Sequence, residues 1–210
     1  MSLPQPAPTR LHLLRHGEVE ASYQKVFGGR IDMNLSPLGH QQAGVLANHL
    51  RGTKIDAIYV SPMKRAQQTL APLLGHFNLP AETCQDLREV DFGDWTGLSW
   101  QQVRERYGIH PFEWLDKLHL AEIPNGECGR RFRDRVEPCI RGILARSEGQ
   151  SVAVVCHGGV IRMILSILLD IPLAKTSVFE IEYASLTQLH LHPGRVEIQL
   201  LNFTPWRVQA

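Results

Sequence analysis

Leu11–Glu18, with the sequence LHLLRHGE, begins as an apolar run and ends in a cation and an imidazole. A short apolar run of this kind is typical of a buried strand. We therefore predict a strand over Leu11–Leu14, with Arg15, His16 and Gly17 directly after it. Ligands of open α/β sheets bind outside the carboxyl ends of the strands, so a functional site is expected here.

Two further apolar runs end in the same way. Ile55–Val60 is followed by Ser61-Pro62-Met63-Lys64-Arg65, and Ser151–Cys156 is followed by His157-Gly158-Gly159. Both runs are predicted strands that place a cation or an imidazole at the point where they stop. The side chains that follow the three strands are therefore expected to meet at one edge of the sheet.

Helices are predicted between these strands. Ser36-Pro37 and Ser61-Pro62 each join an N-cap serine to a proline that suits the first helical position. Arg65 then falls in the first turn of its helix, where free N–H groups and the helix dipole already favour anions. The predicted helices run from Ser36 to about Leu50, from about Pro62 to near His76, from Glu127 to about Glu148, and over Gly159–Leu169.

The alternation of strands and helices predicts an α/β fold with a mainly parallel central sheet and helices on both faces. Ala81–Leu87 is a further predicted strand. Phe179–His192 and Val196–Phe203, joined by a turn at Pro193-Gly194, predict an antiparallel edge. We expect one domain over residues 1–210.

Residues 91–126 interrupt the alternation and are interpreted as a small cap inserted over the site. This segment is rich in aromatic side chains. They are Phe92, Trp95, Trp100, Tyr107, Phe112 and Trp114.

Composition excludes several classes of function. The 210 residues carry a formal net charge of +1, without the basic footprint of a nucleic-acid-binding protein. No segment is long and apolar enough to cross a membrane, so neither nucleic acid nor membrane is an expected partner. Four scattered cysteines, without a Cys-x-x-Cys pair, favour reduced thiols and a cytoplasmic location. Nothing in the sequence indicates an oligomeric state.

These three segments and a fourth that contains Glu89, taken in order, resemble the histidine phosphatase superfamily, whose fold is that of phosphoglycerate mutase. They are Arg15-His16-Gly17-Glu18, Arg65, Glu89 and His157-Gly158-Gly159. The resemblance covers the chain from about Leu11 to Phe203. It implies hydrolysis of a small phosphorylated metabolite through a phosphohistidine, without a metal or another cofactor.

The resemblance implies a role for each residue. His16 is the expected nucleophile, Arg15 and Arg65 are expected to hold the phosphate oxygens, and His157 is expected to stabilise the charge of the transition state. Glu89 is expected to act as general acid and then as base, because Leu87–Gly93 matches the family pattern Leu-x-Glu-x-x-x-Gly.

Further residues are expected to contact the substrate. They are Ser22, Gly28, Phe92, Trp95 and Gly158. Phe92 and Trp95 are the nearest cap aromatics to Glu89, so we expect at least one of them to face the substrate.

The chain departs from the family pattern at informative positions. The opening motif often continues with Thr or Ser and then Asn, where this chain has Val19 and Ser22. Cofactor-dependent mutases usually carry Tyr and Lys where this chain has Phe92 and Trp100. The segment Phe92–Gly97 instead resembles the phosphatase branch, which includes α-ribazole phosphatases and broad-specificity phosphatases. A phosphoglycerate mutase and a non-catalytic phospholigand-binding protein remain the alternatives.

Other charged residues are interpreted as structural. Arg130, Arg131, Arg133 and Arg135 are predicted to form a solvated helix face, with contact of one of them to an anionic substrate tail as the alternative. Glu18 is predicted to be structural or to support the residues that bind phosphate, without transferring a proton. Five further histidines lie on ordinary elements without metal-ligand spacing. They are His12, His40, His49, His76 and His190.

Overall fold

A six-stranded mixed sheet with helices around it forms the centre of the molecule in this computed structural model, which describes residues 7–110 and 113–208. The strands are β1 (Thr9–Arg15), β2 (Ala57–Val60), β3 (Ala81–Thr83), β4 (Ser151–Cys156), β5 (Leu186–His192) and β6 (Arg195–Phe203). The helices are α1 (Pro37–Leu50), α2 (Lys64–Phe77), α3 (Trp100–Tyr107), α4 (Trp114–His119), α5 (Gly129–Arg146), α6 (Gly158–Leu168) and α7 (Pro205–Val208).

The strand order is β3-β2-β4-β1-β5-β6. The first four strands in this order are parallel, and β5 and β6 continue the sheet antiparallel. The predicted α/β class, the mainly parallel sheet and the antiparallel edge are therefore confirmed.

The register of the parallel strands brings three segments together. Arg15 pairs with Cys156 across β1 and β4, and Val60 pairs with Val155 across β2 and β4. The chain therefore leaves the sheet at one edge just before His16, Ser61 and His157. This edge is the carboxyl end of all three strands.

Alternate residues of the buried strands face two apolar layers. Leu13 and Val154 point into the layer formed with α5 and α6, which contains Phe132 and Ile164. The opposite faces of the same strands belong to a second layer, formed with α1 and α2. Its members include Leu14, Val155, Leu46, Leu50, Leu70 and Leu73. Helices therefore cover both faces of the sheet, as predicted.

Two predicted strands extend well beyond the strands of the structure. β3 ends at Thr83, and Gln85–Leu87 is a 3₁₀ turn. β5 begins at Leu186, so residues 179–185 of the predicted strand Phe179–His192 are not strand. The segments that were predicted as strand but are not strand both lead into the site described below.

The start of α2 also differs from its prediction. The helix begins at Lys64, and its N-cap is Met63, which offers no side-chain cap. Ser61 instead places its hydroxyl 2.7 Å from Nε2 of His157. The serine hydroxyl is therefore used in a long-range contact and not as the predicted cap.

The segment 91–126 contains a 3₁₀ turn at Gly93–Trp95 and the helices α3 and α4. Part of it is core, because Trp95, Val103 and Leu118 pack in the same apolar layer as α5. Phe112 lies outside the described residues. Across the described parts of the chain, no helix combines the length and the apolar character needed to traverse a bilayer.

Candidate active site

His16 lies directly after β1 with only 5% of its surface exposed. Its Nδ1–H donates to the carbonyl of Gly17 at 2.8 Å, which leaves the lone pair on Nε2. Burial lowers the pKa of His16 well below its usual value, and the charges of Arg65 and Arg15 lower it further. The ring is therefore neutral, and Nε2 is an unprotonated nitrogen that can accept a hydrogen bond.

A backbone contact explains the glycine beside this histidine. A Cβ on Gly17 would lie 2.5 Å from the carbonyl oxygen of Gly39 at the start of α1. Only a residue without a side chain lets the loop after β1 approach the helix so closely. The orientation of His16 depends on this approach, because Gly17 supplies the carbonyl that fixes its ring.

Arg65 connects the two histidines. Its Nε lies 3.2 Å from Nε2 of His16 and 3.2 Å from Nδ1 of His157. A guanidinium can only donate, so each of these ring nitrogens accepts. His157 must then carry its proton on Nε2, which donates to the hydroxyl of Ser61 at 2.7 Å.

The rest of the Arg65 guanidinium is held by the loop after β1. Nη1 donates to the carbonyl of Ile31 at 2.8 Å, and Nη2 donates to the carbonyl of Gly29 at 2.9 Å. Burial lowers the pKa of Arg65 to about 10, so the group remains charged at neutral pH. Arg65 was expected to hold the phosphate oxygens, but here both of its Nη groups donate to backbone carbonyls.

His157 is fully buried and lies behind the cavity wall that the described residues form. Its ring centroid is 5.2 Å from that of His16. Burial and the charge of Arg65 lower the pKa of His157 well below its usual value, so this ring is also neutral. In this structure its contact with the site therefore passes through Arg65 and His16.

Arg15 lies at the cavity wall beside the first turn of α6. Its guanidinium donates to the carbonyl of Ile181 and sits 4.2 Å above the ring of Tyr183. Its buried Nε has no hydrogen-bond partner among the described residues. A buried N–H of a cation that lacks an acceptor is suited to an anionic ligand.

Glu89 also lines this cavity. Its carboxylate accepts from the backbone N–H of Gly159 at 3.1 Å and from that of Val90 at 3.0 Å. A Cβ on Gly159 would lie 2.4 Å from Oε1 of Glu89, so any other residue here would displace this carboxylate. The start of α6 and the catalytic-acid candidate are therefore in direct contact.

The cavity has a volume of about 420 Å³ and is lined by two kinds of side chain, together with Arg162, Glu180 and Glu182. His16, Arg15, Arg65 and Glu89 are called its polar end. The aromatic lining is called its aromatic end. Its members are Tyr23, Phe27, Phe92, Trp100 and Trp114. Phe27 stacks on Trp100, and Phe92 meets Trp114 edge to face.

The structure separates the residues that were predicted to contact substrate. Gly28, Phe92 and Gly158 lie on the cavity wall. Ser22 lies on the exposed turn Ala21–Tyr23, outside the wall that the described residues form. Trp95 is completely buried in the apolar layer, so the expectation that it faces the substrate is wrong.

Sequence reasoning missed several residues of the cavity wall, among them Arg162 and Tyr183. Arg162 follows Gly158 by four positions on α6, so the spacing on one helix face could have indicated it. Tyr183 lies in an irregular segment that was predicted as strand, and no local pattern marks it. The described residues contain no group of three or more His, Cys, Asp or Glu arranged to hold a metal ion.

Residues 11–204 match the sequence model of the histidine phosphatase superfamily (branch 1), and the chain belongs to this superfamily. Phosphoserine phosphatase 1 of Hydrogenobacter thermophilus is 31% identical over 93% of this chain and 92% of that protein. The adenosylcobalamin/α-ribazole phosphatase of Escherichia coli is 27% identical over 92% of this chain and 95% of its own length.

Solved structures agree with this assignment. The mycobacterial glucosyl-3-phosphoglycerate phosphatase has a TM-score of 0.82 and 28% identity, covering 93% of this chain and 99% of that chain. The resemblance inferred from the four sequence segments is therefore confirmed at the level of the superfamily and the fold.

Proposed function

We propose that this protein is a phosphomonoesterase that works through a phosphohistidine on His16. One observation carries the proposal: a buried neutral imidazole, with Nδ1 fixed by a carbonyl, lines a cavity together with Arg15 and Arg65. A neutral imidazole with one nitrogen fixed by a carbonyl is a competent nucleophile at the other nitrogen.

In the first step, Nε2 of His16 attacks phosphorus and the bond from phosphorus to the ester oxygen breaks. The leaving oxygen takes a proton from the carboxyl group of Glu89, so that an alcohol departs. In the second step, water attacks phosphorus, gives its proton to Glu89 and releases phosphate as the bond to His16 breaks. Arg15 and Arg65 supply the positive charge that phosphoryl transfer requires.

The hydrogen bond from Arg65 to His16 must change before attack, because one lone pair cannot accept a proton and attack phosphorus together. A phosphate oxygen is a stronger acceptor for the N–H of a guanidinium than a neutral imidazole is. Binding of the substrate therefore releases the nucleophile. His157 also accepts from this N–H and keeps it between the two rings.

The proposed substrate is a small phosphorylated metabolite with an apolar or aromatic body. The aromatic end of the cavity supports this choice, because aromatic side chains bury a flat or apolar leaving group well. Several similar proteins are named as phosphatases of small phosphate esters, including phosphoserine and α-ribazole phosphate. Phe92 and Trp100 offer no second cation for a mutase substrate.

The test compares wild-type protein with His16→Ala on p-nitrophenyl phosphate. Wild type should hydrolyse the ester and carry an acid-labile, alkali-stable phosphate after rapid quenching. His16→Ala should lose at least about 10⁴-fold in kcat, since a missing nucleophile has no substitute. Full activity in this variant would refute the phosphohistidine, and an inactive wild type would favour a non-catalytic binding protein.

A second measurement tests the substrate class. Phe92→Ala should raise KM for an aryl phosphate about 3- to 10-fold and change KM for glycerol phosphate less, because it removes binding area at the aromatic end. Equal changes for both esters would contradict this class. Strong isomerisation of 3-phosphoglycerate, stimulated by 2,3-bisphosphoglycerate, would instead identify a mutase.

A further inference from the structure

Arg135 was predicted to lie on a solvated helix face, but its side chain is only 15% exposed. It leaves α5 toward the segment that carries Glu89. Nη1 donates to the carbonyls of Asp86 at 2.6 Å and Arg88 at 2.7 Å, and Nη2 lies 3.2 Å from the carbonyl of Glu89 itself. One guanidinium therefore binds three backbone carbonyls of a single short segment.

Glu127 completes this arrangement from the other side. Its carboxylate receives both Nε and Nη2 of Arg135, at 2.7 and 2.9 Å, and its side chain is 7% exposed. Oε2 of Glu127 also accepts from the backbone N–H of Asp91 at 3.3 Å, while its own N–H donates to the carbonyl of Asp91. The pair Arg135–Glu127 therefore binds the backbone on both sides of Glu89.

Residues 86–91 need such support because they lie beyond the end of β3 and are not paired in the sheet. β3 stops at Thr83, and only a 3₁₀ turn over Gln85–Leu87 follows. The carboxylate of Glu89 is held by two backbone N–H groups, one of which belongs to its own neighbour Val90. The position of the carboxylate thus depends on how the backbone at residues 86–91 is fixed.

We propose that Arg135 is a positioning residue that holds the carboxyl group of Glu89 in place for proton transfer to the leaving oxygen. The proposal rests on the function of Glu89 proposed above. A displacement of about 1 Å in a reacting group can cost about 100-fold in rate. Loss of three carbonyl contacts releases the backbone of the residue that carries the acid, without removing any group that touches phosphate.

Arg133 provides the matched control. It lies on the same helix two residues earlier, and its Nε pairs with Glu137 one turn further along at 2.7 Å. Its side chain is 43% exposed. Arg133→Met therefore makes the same chemical change on α5 as Arg135→Met, at a position that faces solvent.

The experiment uses the dependence on the leaving group. A p-nitrophenolate leaves without a proton, whereas the alkoxide of glycerol phosphate needs one. Glu89→Gln should therefore lower kcat/KM for glycerol phosphate far more than kcat/KM for p-nitrophenyl phosphate, because kcat/KM covers only the steps up to departure of the leaving group, before Glu89 is needed as a base. Arg135→Met should show the same selectivity, with about a 10- to 100-fold fall in the ratio of the two kcat/KM values. Arg133→Met should leave the ratio unchanged.

The outcomes separate the two hypotheses. If Glu89→Gln shows no selectivity, the acid function itself is wrong. If Glu89→Gln is selective but Arg135→Met slows both esters equally or neither, the positioning function of Arg135 is wrong. Should Arg135→Met fail to fold, Arg135→Lys keeps the charge but cannot span the same carbonyls, and it must show a smaller selective loss; an unselective loss refutes the proposal.

Discussion

Two buried histidine–serine pairs occupy the sheet, and only one of them lies at the site. Nε2 of His12 is 3.0 Å from the hydroxyl of Ser151, and Nε2 of His157 is 2.7 Å from that of Ser61. His12 and His157 are almost completely inaccessible to solvent. Burial lowers the pKa of both rings, so both are neutral at physiological pH.

The pairs differ in what lies on the other side of the ring. Nδ1 of His12 is buried without a hydrogen-bond partner among the described residues, inside the strand β1. Nδ1 of His157 accepts from Arg65, which also reaches His16. Burial and a low pKa are therefore common to both rings, and what distinguishes His157 is its place at the carboxyl end of a strand and its contact with Arg65.

Alanine variants of the two serines test the difference between the two histidine–serine pairs. Ser61→Ala removes the acceptor of the His157 Nε2–H. The tautomer with an unprotonated Nδ1, which accepts from Arg65, is then no longer favoured. We expect kcat to fall about 10- to 100-fold, together with a loss of stability of about 1–3 kcal/mol for the unsatisfied buried group. Steady-state kinetics and urea unfolding measure the two effects.

Ser151→Ala is the control for this prediction. It removes the same kind of hydroxyl from the His12 pair and should reduce stability by a similar amount while kcat stays near that of wild type. If both variants lose kcat equally, the proposed difference between the two pairs is wrong.

The pH dependence of stability sharpens the comparison. The pKa of folded His12 is lowered to about 4, mainly by burial, with His190 and Arg10 contributing. In the unfolded chain a histidine takes up its proton near pH 6.5. The unfolded state therefore binds more protons between these values, and stability falls as the pH is lowered from about 6.5 toward 4.

His12→Gln should weaken this dependence. His16 and His157 add to the fall in the same direction, because their pKa values are also lowered. The difference in the free energy of unfolding between pH 7 and pH 5 should shrink by about 1–2 kcal/mol in the variant, while kcat at pH 7 is retained. An unchanged pH dependence would show that folded His12 is protonated as readily as an unfolded histidine.

Removal of metal ions should have the smallest effect. The polar end of the cavity already holds Arg15 and Arg65. We expect hydrolysis of p-nitrophenyl phosphate to continue unchanged in EDTA. Activity that disappears with EDTA and returns with Mg²⁺ would contradict the expectation that the site works without a metal ion.

The sequence predicted those features that depend on strand ends. Leu11–Leu14, Ile55–Val60 and Ser151–Cys156 are apolar runs with a sharp end, and parallel pairing then forces the following residues together. His16, Arg65 and His157 could be predicted for this reason. The four segments, in their order along the chain, also indicated the superfamily to which the chain belongs.

Local patterns failed where a distant side chain decides the contact. Ser36-Pro37 and Ser61-Pro62 carry the same cap signal, but only Ser36 caps its helix, accepting from the N–H of Gly39 at 3.0 Å. Ser61 bonds instead with His157, which is 96 residues away in the sequence. Arg135 and Trp95 were misassigned for the same reason, since their surroundings come from other segments.

We infer that the hydrogen bond from Arg65 to His16 protects the resting protein from reagents that attack imidazole. The lone pair on Nε2 of His16, the proposed nucleophile, accepts this hydrogen bond until an anion draws the guanidinium away. Breaking the hydrogen bond would consume part of the binding energy of the substrate, since a hydrogen bond to a charged group contributes about 1.5–3 kcal/mol. In return, an electrophile that carries no negative charge would find the proposed nucleophile already engaged.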